Sequence, residues 1–162
     1  MKLDDIKLMF NYNYWANQQI LAQAAKLSTA ELYAPTSVSW NSLGGTLIHT
    51  MDAEYGWRVM LDTRGSTPLL TPDDFSDLDA IIQRWQIEET AMWDYLNRLS
   101  DKNINDMIHY SGDGYSRSRI VWHCLLHVVN HGTQHRSECA VMLTNLGHSP
   151  GEIDFTVYLN DA

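Results

Sequence analysis

Four of the seven histidines fall at 123, 127, 131 and 135, each four residues from the next, within the stretch from Arg119 to Leu146. On an α-helix, residues four apart share a face, one turn or about 6 Å along the axis. Steps of four drift slowly round the helix, so the four imidazoles form a tilted stripe. Adjacent members such as His131 and His135 can aim ring nitrogens at one metal ion. This His-x-x-x-His spacing is that of helical zinc sites. A catalytic zinc takes three protein ligands and leaves one position for water or substrate, so the pair needs a partner. His49 is the candidate, because it lies inside another helical pattern, whereas His109 and His148 fall in connecting stretches and read as solvated.

No nucleophile or general base is placed by a motif. Glu89 and Glu138 are candidate bases by position alone. Cys124 lies seven residues before His131 and shares its face, and it reads as a buried core thiol rather than a nucleophile. Cys124 and Cys139 are too few for a disulfide framework. Both sit on the histidine helix, about 22 Å apart at about 1.5 Å per residue, and so cannot bond to each other within it. They read as reduced thiols.

The elements that must position these groups follow from periodicity. Residues 3–26 read as a helix on Leu3, Ile6, Phe10, Ile20, Leu21 and Ala24, with Asn13 and Asn17 on the same stripe. Those amides are expected to bond to a neighbouring helix, or else to orient a ligand from behind. Residues 27–41 read as a loop. Ser42 is a candidate N-cap for a second helix to about Arg64, which puts His49, Ala53, Gly56 and Met60 on one face with Trp57 at its edge. Small residues beside a histidine leave the space a site requires. Gly65 to Pro72 is a second loop. A third helix is expected from about Phe75 to Ser100, with Leu78, Ile82, Trp85, Met92, Leu96 and Leu99 inward and one gap at Glu89. A carboxylate at a core position costs several kcal/mol unless paired, so Glu89 either reaches solvent or faces the histidines. Residues 107–117 form a hairpin-like stretch turning at Asp113-Gly114. The histidine helix follows and stops at Gly147, with Pro150 just beyond. The tail holds Ile153, Phe155, Val157, Tyr158 and Leu159 and should pack back on the rest. Four long amphipathic segments make an all-α four-helix bundle the economical fold, in one domain over residues 1–162.

Composition sets outer bounds. Eleven basic against 20 acidic side chains give a formal charge of −9, which argues against nucleic acid or an anionic membrane as partner. No apolar run approaches the roughly 18 residues of a membrane span, and the start does not read as a signal peptide. A cytoplasmic protein is the expectation. Six Trp and eight Tyr suggest a core with aromatic walls.

Three segments together resemble one family across nearly the whole chain. Asn11-Tyr12-Asn13-Tyr14-Trp15-Ala16-Asn17 resembles the opening helix of the DinB/YfiT-like superfamily. Leu47-Ile48-His49-Thr50-Met51-Asp52-Ala53-Glu54-Tyr55-Gly56-Trp57 is similar to its second helix. His127-Val128-Val129-Asn130-His131-Gly132-Thr133-Gln134-His135-Arg136 is similar to its signature on the last helix. The resemblance implies a bundle of up-down-down-up connection and a divalent metal held by His49, His131 and His135, with His123 and His127 outside the ligand set. Members often carry a second histidine at the position of Gln134, and Gly-Gln where this chain has Ser137-Glu138.

Related branches are transferases and isomerases that use low-molecular-weight thiols. The expectation is therefore a metal-dependent enzyme that pairs a small-molecule thiol with an electrophile held against Trp57 or Trp122. The alternatives are a stress-related metal-binding protein without turnover and a metal-dependent hydrolase. Zinc and nickel both suit three imidazoles. A homodimer is expected, since two-fold pairs are the commonest assemblies.

Overall fold

The computed structural model describes residues 1–112 and 114–161. In chain order the elements are α1 (Leu3–Ala24), α2 (Thr29–Leu32), α3 (Leu43–Thr63), α4 (Leu78–Asn97), α5 (Asp101–Asn105), β1 (Met107–Gly112), β2 (Tyr115–Ile120), α6 (Val121–Asn145) and α7 (Phe155–Asp161). Short 3-10 turns at Ser39–Asn41 and Pro72–Asp74 precede α3 and α4.

The starts and stops of the long helices are written in side chains. The Ser42 hydroxyl accepts the Gly45 N–H at 2.9 Å and starts α3, and the Asp77 carboxylate accepts the Ala80 N–H at 2.9 Å and starts α4. α3 ends on Arg64 in the left-handed region (φ 61°). Asp4 and Asp5 sit in the first turn of α1, where acids complement the helix dipole.

Two core clusters fix the direction of each long helix. At one end Ile6 and Phe10 of α1 meet Leu61 of α3, Met92 and Leu96 of α4, and Leu125 and Val128 of α6. At the other end Ile20 and Ala24 meet Leu43 and Leu47, Ile81 and Trp85, and Cys139 and Leu143. α1 and α6 therefore run one way and α3 and α4 the other, which is the up-down-down-up arrangement. β1 and β2 form an antiparallel hairpin from Met107 opposite Ile120 to Gly112 opposite Tyr115. Of the expected Asp113-Gly114 turn, Asp113 lies outside the described residues, and Gly114 has φ 78°. The tail folds back through α7, where Phe155 and Tyr158 pack against Tyr12 at ring distances of 5.3 and 6.0 Å.

Three elements depart from the periodic reading. The stretch 27–41 is not all loop, since Ser28 and Glu31 cap the short helix α2. Helix α5 interrupts the connection before the hairpin. α4 is shorter than expected and rotated, so that Ile81, Trp85, Glu88, Met92, Tyr95 and Leu96 face inward while Leu78, Ile82 and Leu99 are only half-buried. The acid in the core is accordingly Glu88. It pairs with Arg58, whose Nη2 is 2.9 Å from Oε2, and with Arg84 at 3.7 Å. Glu89 lies half-buried in the groove between α1 and α4, alongside Gln18 and Leu21, and does not face the histidines.

Candidate metal centre

α3 and α6 lie side by side and antiparallel, and this brings His49 opposite the pair on α6. His131 Nε2 is 3.3 Å from His49 Nε2 and 3.2 Å from His135 Nε2. The three donor atoms lie within 4.8 Å of one another. Metal–nitrogen bonds of about 2.0 Å in a tetrahedral shell set donor atoms about 3.3 Å apart, which matches both short pairs. A ring nitrogen carries at most one proton, so hydrogen bonding alone satisfies this three-way convergence poorly. The residues present fit a divalent ion. His135 is 4 % exposed, while His49 and His131 are half-buried, so the donors meet at the edge of the core rather than inside it.

Each ring is oriented differently. The Glu138 carboxylate stands 2.7 Å from His135 Nδ1, which directs Nε2 toward the other two donors. His49 is stacked by Trp40, with ring centres 3.9 Å apart and planes 19° from parallel. Trp40 reaches this position from a backbone with φ 60°, followed by Asn41 at φ 63°, a conformation that bulky residues rarely adopt. Glycine at position 45 is what lets the Trp40 carbonyl approach α3, since a Cβ there would collide with it. Neither Trp40 nor Glu138 stood out in the sequence as a positioning group. A positive-φ tryptophan carries no periodic signal, while the spacing of Glu138 from His135 was the available clue.

Charge favours neutral donors. Burial, reinforced by the neighbouring His135, pushes the His49 imidazole down to about 4. Burial and the same neighbour, with His49 and His127 adding, push His131 down to about 4. Neutral imidazoles are what a metal ion requires. Beside the triad, a buried polar network ties three helices together. Arg136, next to His135, donates to Asn13 Oδ1 at 2.5 Å, Asn17 Oδ1 at 2.9 Å and Thr133 Oγ1 at 2.9 Å. Gly132 makes room for it, because a Cβ there would come within 2.7 Å of the guanidinium. Asn13 also donates to Glu54 Oε2 at 3.4 Å, and the Tyr14 hydroxyl donates to Glu54 Oε1 at 2.5 Å. Burial pushes the Glu54 carboxyl up to about 7. The two asparagines thus hold α1 to α6 and do not join the donor set.

The remaining histidines lie apart. His127 packs edge-on to Trp57 at 5.2 Å and tilted to His131 at 5.7 Å, and His123 sits on Trp122 at 4.1 Å. Both are exposed, and neither joins the three-donor cluster. His109 is exposed and bonds to the Ser118 hydroxyl at 2.8 Å, and His148 is half-buried. Cys124 and Cys139 are free and buried, and burial pushes both thiols up. A cleft of about 390 Å³ borders α3 at Ala53 and Gly56, starting one helical turn from His49. Trp57 lines it, whereas Trp122 lines a separate groove with Met9.

Among the described residues no helix is long and apolar enough to cross a membrane. The chain is 26% identical to Protein DinB of Bacillus subtilis (strain 168) in an alignment of 162 residues that covers 93% of this chain and 91% of that protein. The model of the DinB family matches residues 2–162, a span that contains the helical bundle and all three converging histidines, and the chain belongs to that family.

Proposed function

We infer that His49, His131 and His135 hold one divalent ion, zinc or nickel, and that the protein uses it in a transfer reaction between a low-molecular-weight thiol and an electrophile. The observation that carries this reading is the convergence of three Nε2 atoms from α3 and α6 at 3.2 and 3.3 Å. Bound there, an ion would acidify a thiol in a coordination position left open by the three imidazoles. The chain's own residues supply orientation. Glu138 fixes His135, Trp40 holds the face of His49, and the Arg136 network anchors the α6 donors against α1. Neither of the two acids that the sequence offered as bases stands free beside the cluster, because Glu138 is engaged with His135 and Glu89 faces another groove. That favours a nucleophile acidified directly over one that needs a protein base.

Elemental analysis tests the first half. His131→Ala loses the ion, while His123→Ala keeps about one per chain; equal retention in both refutes the assignment. Cobalt substitution tests the second half. A small thiol added to the cobalt protein should produce a sulfur-to-metal charge-transfer band that titrates below the free thiol pKa of about 8.5. If cobalt binds and only carboxylates or phosphates perturb its spectrum, the thiol reading fails. A metal-dependent hydrolase or a binding protein without turnover then takes its place.

A further inference from the structure

Four glycines lie inside the long helices, and three have an evident packing reason. A Cβ at Gly44 would meet the Tyr33 ring at 2.5 Å, one at Gly45 would strike the Trp40 carbonyl, and one at Gly132 would crowd Arg136 and Asn13. Gly56 is different. It sits well inside α3, and the nearest atom to a Cβ there is Thr67 Oγ1 at 3.6 Å, an ordinary contact. Glycine in a helix interior lowers stability relative to alanine. α3 therefore carries an unfavourable residue that no close neighbour requires. What glycine preserves is open volume, and Gly56 lies on the wall of the 390 Å³ cleft.

The other walls combine rings and apolar groups with a few hydroxyls. Trp57 and Tyr110 meet edge to face at 5.6 Å and Tyr110 and Tyr115 at 6.4 Å, Ala53 and Met60 add apolar surface, and Ser66, Thr67 and Ser111 add neutral hydroxyls. Such edge-to-face geometry is how aromatic rings pack with one another. Trp57 in turn meets the exposed His127 edge-on at 5.2 Å, and His127 is tilted to His131 at 5.7 Å, so a chain of ring contacts joins the cleft wall to the three-histidine cluster. Its charged member is Asp52, whose Oδ1 accepts the Leu70 N–H at 2.9 Å. A carboxylate on the rim disfavours anions. The volume lies in the lower part of the range for small-molecule sites.

We propose that the cleft over Gly56 binds a small, uncharged aromatic molecule, with its ring on the bare backbone of α3 beside the Trp57–Tyr110 pair. This rests on and extends the metal-centre reading, since it names the class of electrophile that the protein would hold. The β1–β2 hairpin is then part of the binding site, because Tyr110 and Tyr115 come from its two strands.

The test uses the full chain loaded with metal and 1,3-dinitrobenzene as an unreactive probe. Titration calorimetry should show saturable binding, and the Trp57 indole N–H, assigned by its absence in Trp57→Phe, should shift in nitrogen–proton spectra while that of Trp85 stays still. Gly56→Leu fills the cleft without touching a metal donor and gives α3 a better helix former. It should weaken the probe at least tenfold with metal content and melting temperature maintained, and Tyr110→Ala should weaken it too. Absence of saturable binding, or equal affinity in Gly56→Leu, overturns the proposal. His131→Ala separates it from the metal reading. Metal lost with the probe still bound supports the cleft, whereas a probe lost together with the metal places the ring on the ion and overturns it. Metal retained in that variant refutes the metal reading and leaves the cleft to be judged on Gly56→Leu.

Discussion

At the scale of single residues, the three-histidine cluster depends on the groups that orient its rings as much as on the rings. Glu138 is the clearest, with its carboxylate 2.7 Å from His135 Nδ1. Removing such a partner typically lowers metal affinity about 10–100-fold. Glu138→Ala should therefore bind zinc more weakly by that factor in a competition titration with a chelating dye, with the helical circular dichroism unchanged; unaltered affinity would show the contact to be incidental. The histidine pair on α6 was legible in the sequence because a four-residue step maps directly onto one helix face. His49 was legible as the one further histidine inside a helical pattern. Trp40 was not, because it acts from a turn whose backbone sign no pattern of residue types declares. Glu88 was missed by a single position. Rotating α4 by one residue exchanges a solvated acid for a buried one, and only its partners Arg58 and Arg84, on α3 and α4, reveal which is correct.

At the scale of elements, α3 is the helix that must not slip, because it carries His49, Glu54, Arg58 and the cleft-lining Gly56. Its start is set by the Ser42 hydroxyl, a buried cap on the Gly45 N–H. Ser42→Ala should cost about 1 kcal/mol in urea unfolding, the usual loss for a serine cap. Ser42→Asp restores a side-chain acceptor at the same place and should recover most of that loss; if both variants match the parent, the cap contributes nothing. The sequence placed this boundary, and those of α1 and α6, to within about two residues, because caps and apolar periodicity agreed there. It missed α2 and α5, which have four and five residues, since so short a turn carries too few positions to establish a period.

At the scale of the whole molecule, the buried charges on three helices set the response to pH. Glu54 is 3 % exposed, and its carboxyl is raised by burial to about 7 from an ordinary value near 4.5. Between those values the folded protein keeps a proton that the unfolded chain has released. The contribution of Glu54 is thus fully present below about pH 4.5 and is lost as pH rises toward 7. Glu54→Gln removes this dependence. Measured by urea unfolding in the metal-free protein, the variant should gain on the parent by an amount on the order of 3 kcal/mol between pH 4.5 and 7.5. The depressed imidazoles of His49 and His131 act in the opposite sense. Their contribution is lost as pH falls from 6.5 toward 4, but it is common to both proteins and cancels in the comparison. A constant difference across that range would mean that Glu54 is ionised in the fold, as the counter-charge of Arg136. One further property follows from where the donors come from along the chain. His131 and His135 are neighbours on any helical fragment, but His49 is 82 residues from His131. An unfolded chain can offer an ion only the local pair, so the complete triad exists only after α6 has docked against α3. With an ion held as proposed, metal occupancy is a chemical record of completed folding, and free metal should raise the free energy of unfolding in proportion to the logarithm of its concentration above the dissociation constant, which slowed proteolysis would report.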